Sequence, residues 1–395
     1  MADDTHLVVG IVGAGAMGSG IAQVAAAAGH RVVLGDASAA AVGRAREAIR
    51  KSLARDVEKG RLDQATAAAT LARVVDAGDL GAGFDRYADC SIVIEAVLEV
   101  LDVKRTLFAA LERVVRDDCI LATNTSSLSV AAVGGGCERP GRVIGVHFFN
   151  PAPLMPLVEI VPAITTEPAT VTRARALVDG WKKITVVASD TPGFIVNRIA
   201  RPYYGESLRL LEEGVADAPT IDWAMRELGG FRMGPFELMD FIGNDVNYAV
   251  TQSVFEGFFH DPRYKPALTQ RRLVEAGLYG RKRERGYYDY RDGATKPEPT
   301  KDEQLGRAVV DRVVAMLVNE AIDAVYLRVA SARDIEIAMT KGVNYPKGLL
   351  AWGDEIGPAT VLARLEALQA EYGEDRYRPS PLLRRRVRAG EPLLT

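Results

Sequence analysis

The chain has 395 residues, 48% of them hydrophobic, and a net charge of −3, the balance of an ordinary globular protein long enough for two or three domains. That charge argues against nucleic acid as a partner for the molecule as a whole. Cys90, Cys119 and Cys137 are odd in number and lack CxxC spacing, so neither a disulfide framework nor a metal site is expected, and a reducing cytoplasm fits. The N-terminal Met1-Ala-Asp3-Asp4-Thr-His6 is acidic, and the apolar run after it is too short for a signal core or a membrane span.

In chain order, Leu7–Val12 reads as a buried strand, Ala16–Ala28 as a small-residue helix and Arg31–Leu34 as a second strand ending at Asp36. The first turn of this βαβ unit carries Gly13-Ala-Gly15-Ala-Met-Gly18. A GxGxxG after a strand and before a helix, with an acid about 20 residues on, is the context that gives the motif meaning. Gly13 would make the tight turn, Gly15 would let the backbone approach a pyrophosphate, and Gly18 would let helix and strand pack closely. Asp36 can hydrogen-bond ribose hydroxyls and would repel a 2′-phosphate, which favours NAD over NADP. The stretch from Ser38 to about Leu71 has helical composition broken at Lys59-Gly60, which predicts a helical hairpin. Strands follow at Ser91–Ala96, Ile120–Thr123, Val143–Val146, Val158–Val161 and Thr185–Ala188. The alternation predicts an α/β Rossmann-type, doubly wound, mostly parallel sheet with helices on both faces.

His147, one of only four histidines, stands in Val-Ile-Gly-Val-His147-Phe-Phe-Asn150-Pro151, and Glu159 lies on another strand-like segment. Those strands, as a hairpin or as neighbours, would bring imidazole and carboxylate face to face. A base held by an acid is what alcohol oxidation by hydride transfer requires. Asn124-Thr-Ser126-Ser127-Leu128 adds polar groups after a buried strand, in the crevice where doubly wound folds bind ligands. Phe148 and Phe149 read as strand packing.

After Ser189-Asp190-Thr-Pro192-Gly193 the pattern turns to long helical segments without a convincing strand, and Asn197 lies at their entry. The segment Gly286–Pro299 reads as a linker. The stretches around it match each other without a gap: Arg198, Glu206, Met225, Gly234, Asp240 and Gly243 fall on Arg312, Glu320, Met339, Gly348, Asp354 and Gly357. This register predicts an internal duplication of an all-α domain. The division expected is 1–188 for the nucleotide-binding domain, 189–291 for the first helical domain and 292–395 for its duplicate. Asn197 corresponds to Asp311, and no second nucleotide domain follows, so one active site per chain is expected. The run Arg384-Arg385-Arg386-Val-Arg388 reads as a solvated helix face, with coenzyme A phosphates as the less favoured partner.

Over essentially its whole length the chain resembles the L-3-hydroxyacyl-CoA dehydrogenase family. The resemblance rests on the glycine motif together with Glu95-Ala-Val-Leu-Glu99, Asn124-Thr-Ser126-Ser127-Leu128, His147-Phe-Phe-Asn150-Pro151, Leu157-Val-Glu159, Gly193-Phe-Ile-Val-Asn197-Arg198 and Gly234-Pro-Phe-Glu237-Leu-Met-Asp240. It implies His147 as catalytic base and Glu159 as its carboxylate partner. Ser126 and Asn197 would contact the substrate oxygen at C3, while Asp36, Glu99, Lys104, Ser126 and Asn150 would line the cofactor. Lys282 matches a lysine near the cofactor, although this chain continues Lys282-Arg-Glu-Arg-Gly286-Tyr-Tyr where family members often have Gly-x-Gly-Phe-Tyr. The tandem helical copy resembles that of longer members and of multifunctional β-oxidation enzymes, where the second copy packs on the first as a partner subunit does. The implied activity is reversible, NAD-dependent oxidation of an L-3-hydroxyacyl-CoA by a monomer with an intramolecular pseudo-dimer, or by a homodimer, with no membrane partner. Arg201 and the arginine-rich C-terminal half leave a dicarboxylic acyl group open. The competing readings are a dehydrogenase of a free hydroxy acid or sugar acid, and a non-catalytic NAD-binding structural protein.

Overall fold

The computed structural model describes residues 7–78 and 80–395; the acidic N-terminus Met1–His6 lies outside the described residues. The chain divides into two compact units, Met1–Thr191 and Pro192–Thr395. No helix among the described residues is long and apolar enough to cross a membrane.

The first unit is built on strands β1 (Val8–Val12), β2 (Arg31–Gly35), β3 (Val74–Asp76), β4 (Ile92–Glu95), β5 (Ile120–Thr123), β6 (Val143–Phe148), β7 (Leu157–Pro162) and β8 (Ile184–Val187). They form one eight-stranded sheet in the order β3-β2-β1-β4-β5-β6-β7-β8. Every pairing is parallel except that of β6 with β7. β1, β4 and β5 are buried along nearly their whole lengths, which is why they read as unbroken apolar runs instead of alternating ones. Helices α1 (Ala16–Ala27), α2 (Ala39–Glu58), α3 (Gln64–Ala72), α4 (Leu101–Glu112), α5 (Val130–Gly134) and α6 (Pro168–Gly180) complete the unit. α1 lies close on the sheet because its inner face is Gly18, Ile21, Ala22 and Ala25; a Cβ on Gly18 would sit 1.7 Å from the Gly13 carbonyl oxygen. α2 and α3 are the expected hairpin, with Lys59 and Gly60 at its turn.

The second unit is helical: α7 (Val196–Ile199), α8 (Arg201–Glu212), α9 (Ala218–Trp223), α10 (Pro235–Ile242), α11 (Asn244–Gly257) and α12 (Leu268–Glu275) precede α13 (Glu303–Tyr326), α14 (Ala332–Gly342), α15 (Leu349–Ile356), α16 (Pro358–Tyr372) and α17 (Pro381–Ala389). α13 is its centre, with every residue from Val313 to Ala324 buried. A helix buried all round must find partners inside the fold for the polar side chains it carries, here Asn319, Glu320 and Asp323. Arg198 and Arg263 supply them for the two carboxylates. Both matching helical stretches therefore lie within one compact unit.

The Gly286–Pro299 segment is no loose linker at its start. The Tyr287 and Tyr288 amides donate to the two Asp240 oxygens at 3.0 and 2.9 Å, and the Tyr288 hydroxyl donates to Asp222 at 2.6 Å. Tyr288 is 5% exposed, the Tyr290 hydroxyl also donates to Asp240 at 3.1 Å, and the exposed run begins only at Arg291.

Candidate active site

The glycine turn between β1 and α1 is fixed from two sides. Asp36, at the end of β2, accepts the Ala14 amide on Oδ2 (2.8 Å) and the Ser38 amide on Oδ1 (2.9 Å), and the Gly13 amide donates to the Gly35 carbonyl at 2.8 Å. Gly13 has φ +104°, and a Cβ there would collide with the Ala96 carbonyl oxygen at 2.4 Å. Gly15, the N-terminal neighbour of α1, is different: a Cβ on it would meet nothing within 4 Å. The unobstructed glycine at a helix N-terminus leaves space for an anion against backbone N–H groups. Beside it lies a 680 Å³ cleft whose walls include Asp36, Leu80, Phe84, Leu98, Val103 and Leu107. Apolar walls with one carboxylate at the rim fit a flat base and its ribose. Leu80, Phe84 and Leu107 had no signal in the sequence, because nothing local marks a side chain as a cleft wall.

The loops after β4 and β5 are joined by buried charge. Lys104 on α4 is 1% exposed, and its Nζ lies 2.6 Å from Glu95 Oε1 and 3.0 Å from Glu99 Oε2. Glu95 also accepts the Val97 amide and the Thr123 hydroxyl, both at 2.7 Å. Glu99 Oε1 accepts the Thr125 hydroxyl (2.5 Å), the Ser126 amide (3.1 Å) and the Ser127 hydroxyl (2.9 Å). Burial works to raise the Glu99 carboxyl, but the Lys104 ammonium and these hydroxyls outweigh it and hold it below its ordinary value. Both carboxylates thus engage the Lys104 charge, and the arrangement fixes where Ser126 sits. Glu95 is the residue that the sequence reading left without a role; its signal was a carboxylate ending a fully buried strand.

β6 and β7 bring the two strongest candidates together. Their antiparallel register sets His147 directly opposite Glu159, with Nδ1 and Oε2 2.7 Å apart; the two residues are 5% and 0% exposed. A carboxylate only accepts, so Nδ1 donates and the neutral ring carries its lone pair on Nε2. Phe149 packs at 4.6 Å between ring centroids, and the Phe148 amide donates to Asn124 Oδ1 at 2.8 Å, tying the ends of β5 and β6. Asn150 follows, exposed. Gly13, Glu95, Ser126 and His147 all lie at or just beyond the carboxyl ends of parallel strands, where open α/β sheets bind their ligands.

Asn197 and Lys282 belong to the second unit. Asn197 is half-buried on α7. Lys282 lies in a short turn after α12, ion-paired to Asp245 at 2.6 Å. Three of the four arginines of α17 have local partners, Arg384 on Glu366, Arg386 on Glu391 and Arg385 over the Tyr326 ring, as a solvated helix face does.

A dinucleotide cradle on a doubly wound sheet, with a carboxylate-held histidine at its carboxyl edge, defines a nicotinamide-dependent oxidoreductase. Residues 8–191 match the 3-hydroxyacyl-CoA dehydrogenase NAD binding domain, and residues 193–290 and 309–393 match the 3-hydroxyacyl-CoA dehydrogenase C-terminal domain. The chain belongs to the 3-hydroxyacyl-CoA dehydrogenase family, and its cofactor is NAD. It is 40% identical to a 3-hydroxyadipyl-CoA dehydrogenase of Escherichia coli K12, over 96% of this chain and 97% of that one. It is 43% identical to a 3-hydroxybutyryl-CoA dehydrogenase of Bradyrhizobium diazoefficiens, over 74% of this chain and 98% of that one. A crystal structure described as a 3-hydroxybutyryl-CoA dehydrogenase from Escherichia coli K12 superposes with a TM-score of 0.90 at 38% identity, covering 97% of this chain and 98% of that one.

Proposed function

We propose that His147 is the general base in the reversible oxidation of an L-3-hydroxyacyl-CoA to the 3-ketoacyl-CoA. The observation that carries this assignment is the buried 2.7 Å contact between His147 and Glu159 on neighbouring strands. Bound NAD supplies the hydride acceptor. The C3 hydroxyl gives its proton to His147 Nε2, and the electron pair left on oxygen closes the carbonyl as hydride leaves C3. Glu159 holds the ring and stabilises the imidazolium that forms. The Ser126 hydroxyl and the Asn197 amide hold the C3 oxygen in line with the base. Asp36, Gly13, Gly15 and Gly18 bind the adenosine and pyrophosphate half of the cofactor; Glu99, Lys104, Asn150 and Lys282 act at its other end, Lys104 by fixing the Glu99 loop. The acyl groups this reading admits run from butyryl, in the name of the shorter relative, to adipyl, in that of the full-length one. The two helical copies act as an intramolecular pseudo-dimer in a reducing cytoplasm, the first supported by the reciprocal ion pairs of the second unit and the second by the odd cysteine count without CxxC spacing.

Losing a positioned base costs about 10²- to 10⁴-fold in rate. His147→Gln is therefore expected to lower kcat for acetoacetyl-CoA reduction by that factor while NADH binding, followed by its fluorescence, is retained. Near-normal turnover removes His147 from the mechanism. Oxidation releases one proton for each hydride transferred and reduction takes one up, so raising the pH should favour the ketone at equilibrium.

A further inference from the structure

Arg201 opens α8 one helical turn beyond Asn197 and is 6% exposed. Its Nε donates to the Asn197 carbonyl oxygen at 2.7 Å, its Nη1 to Thr251 Oγ1 at 3.0 Å and, at 3.5 Å, to the Asn247 carbonyl oxygen; the Tyr204 ring lies 4.9 Å from its Cζ. All of these partners are neutral. The other buried arginines of this unit have carboxylates: Arg198 and Arg263 share Glu320 and Asp323, and Arg376 has Glu206. Among the described residues no carboxylate pairs with Arg201. A buried cation without an anion is costly, because a guanidinium cannot shed its proton to escape the cost.

A second donor in the same neighbourhood is also unanswered. Tyr345, between α14 and α15, is 6% exposed and its hydroxyl has no hydrogen-bond partner. Its ring lies 5.7 Å from that of Tyr203, which in turn lies 5.6 Å from the Tyr204 ring under Arg201. The duplication shows that packing does not demand either group. Where Arg198 and Glu206 recur as Arg312 and Glu320, Arg201 falls on Ala315 and Tyr345 falls on Phe231. The fold is built twice, and only once does it carry these two donors.

We propose that Arg201 and Tyr345 form a subsite for a carboxylate at the far end of the acyl chain, so that the preferred substrate is an ω-carboxylated 3-hydroxyacyl-CoA. This rests on the function proposed above, since it takes Asn197, one turn earlier, to be at the C3 oxygen. A charge-assisted pair to an arginine strengthens binding by about tenfold or more.

The test is the initial rate of NADH oxidation by the full-length protein with 3-ketoadipyl-CoA and with 3-ketohexanoyl-CoA, whose carbon chains are equally long and differ only at the ω end. The wild type should favour the carboxylated substrate by about tenfold or more in kcat/KM, mainly through KM. Arg201→Met should abolish that ratio. Tyr345→Phe, which installs the residue of the sister copy and so should fold normally, should reduce it. Equal kcat/KM for the two substrates in the wild type overturns the subsite, and so does an equal loss on both substrates in the variants, as a purely structural role would give. Should Arg201→Met not fold, the ratio in Tyr345→Phe decides. If neither of these substrates nor acetoacetyl-CoA turns over, the dehydrogenase reading falls and the subsite falls with it.

Discussion

At the scale of single residues, the glycines of the nucleotide turn separate folding from binding. Gly18 is needed by the protein itself, because a Cβ there would lie 1.7 Å from the Gly13 carbonyl oxygen, backbone that cannot yield without opening the turn. Gly15 has open space where its Cβ would go and an extended backbone with φ −71°, which alanine adopts freely. The reason for glycine at this position is then the approach of a ligand to the backbone, not a constraint of the fold. Gly15→Ala should keep the melting temperature of the parent within about a degree or two, as an unstrained surface change does. Its NADH affinity should fall by roughly tenfold or more, since one methyl group displaces charge-assisted contacts to the pyrophosphate. Gly18→Ala should lose stability before any cofactor is added. A fluorescence titration beside a thermal melt reads both quantities. Normal NADH binding by Gly15→Ala would move the pyrophosphate elsewhere.

At the scale of elements, two helix starts in the second unit are held by acids, Asp222 buried and Glu336 half-buried. Asp222, on α9, accepts the Phe236 and Glu237 amides at the start of α10 at 2.8 and 3.0 Å, and its counterpart Glu336 does the same for Leu350 and Ala351 on α15. Burial pushes the Asp222 carboxyl up to about 7, against the lowering by the Tyr288 hydroxyl and the two amides, and burial raises Glu336 as well. A folded-state value above the ordinary 3.8 means that the folded chain holds this proton more tightly than the unfolded one. The resulting stabilisation is complete below the ordinary carboxylate value and is lost as pH rises towards about 7. Asp222→Asn, which cannot titrate, should therefore show a shallower fall of melting temperature between pH 4 and pH 7 than the parent, by about the several degrees that a kcal/mol or more represents in a unit of this size. Superimposable slopes would mean that Asp222 titrates normally in the fold. These contacts also mark how far the sequence could be read. The strands around His147 and Glu159, the helical hairpin broken at Lys59-Gly60 and the glycine turn were legible, because each is written in local periodicity or in a turn residue. The edge strand Val74–Asp76 is only three residues long and left no pattern. The segment after Gly286 read as a linker because its partners, Asp222 and Asp240, lie far away in sequence.

At the scale of the whole second unit, the duplication is tied together by exchanged charges. Glu320, in the later copy, accepts Arg198 Nε (2.6 Å), Arg263 Nη1 (3.2 Å) and the Tyr264 hydroxyl (2.6 Å), all from the earlier one. Glu206, in the earlier copy, accepts Arg312 Nε, Arg376 Nη1 and the Tyr377 hydroxyl, each at 3.1 Å, from the later one. Each copy thus inserts its glutamate between two arginines and a tyrosine of the other. A buried ion pair is weak evidence of net stability, yet removing one member strands the other in low dielectric, at about 3–5 kcal/mol. Burial alone would raise the Glu320 carboxyl, but Arg198 and Arg263 outweigh it and hold it low, so the group is charged and its loss leaves two guanidinium groups with only Asp323 between them. Glu320→Gln should lower the melting temperature of this unit by roughly 6–20 °C. Glu206→Gln should act on the same transition, because each glutamate completes the other copy's nest and neither copy can lose it alone. Calorimetry decides between two outcomes. One transition shifted by both variants means that the copies fold as a single cooperative body. A split in which each variant moves only its own peak means that the exchanged charges do not couple the copies, and the intramolecular pseudo-dimer would then need another basis.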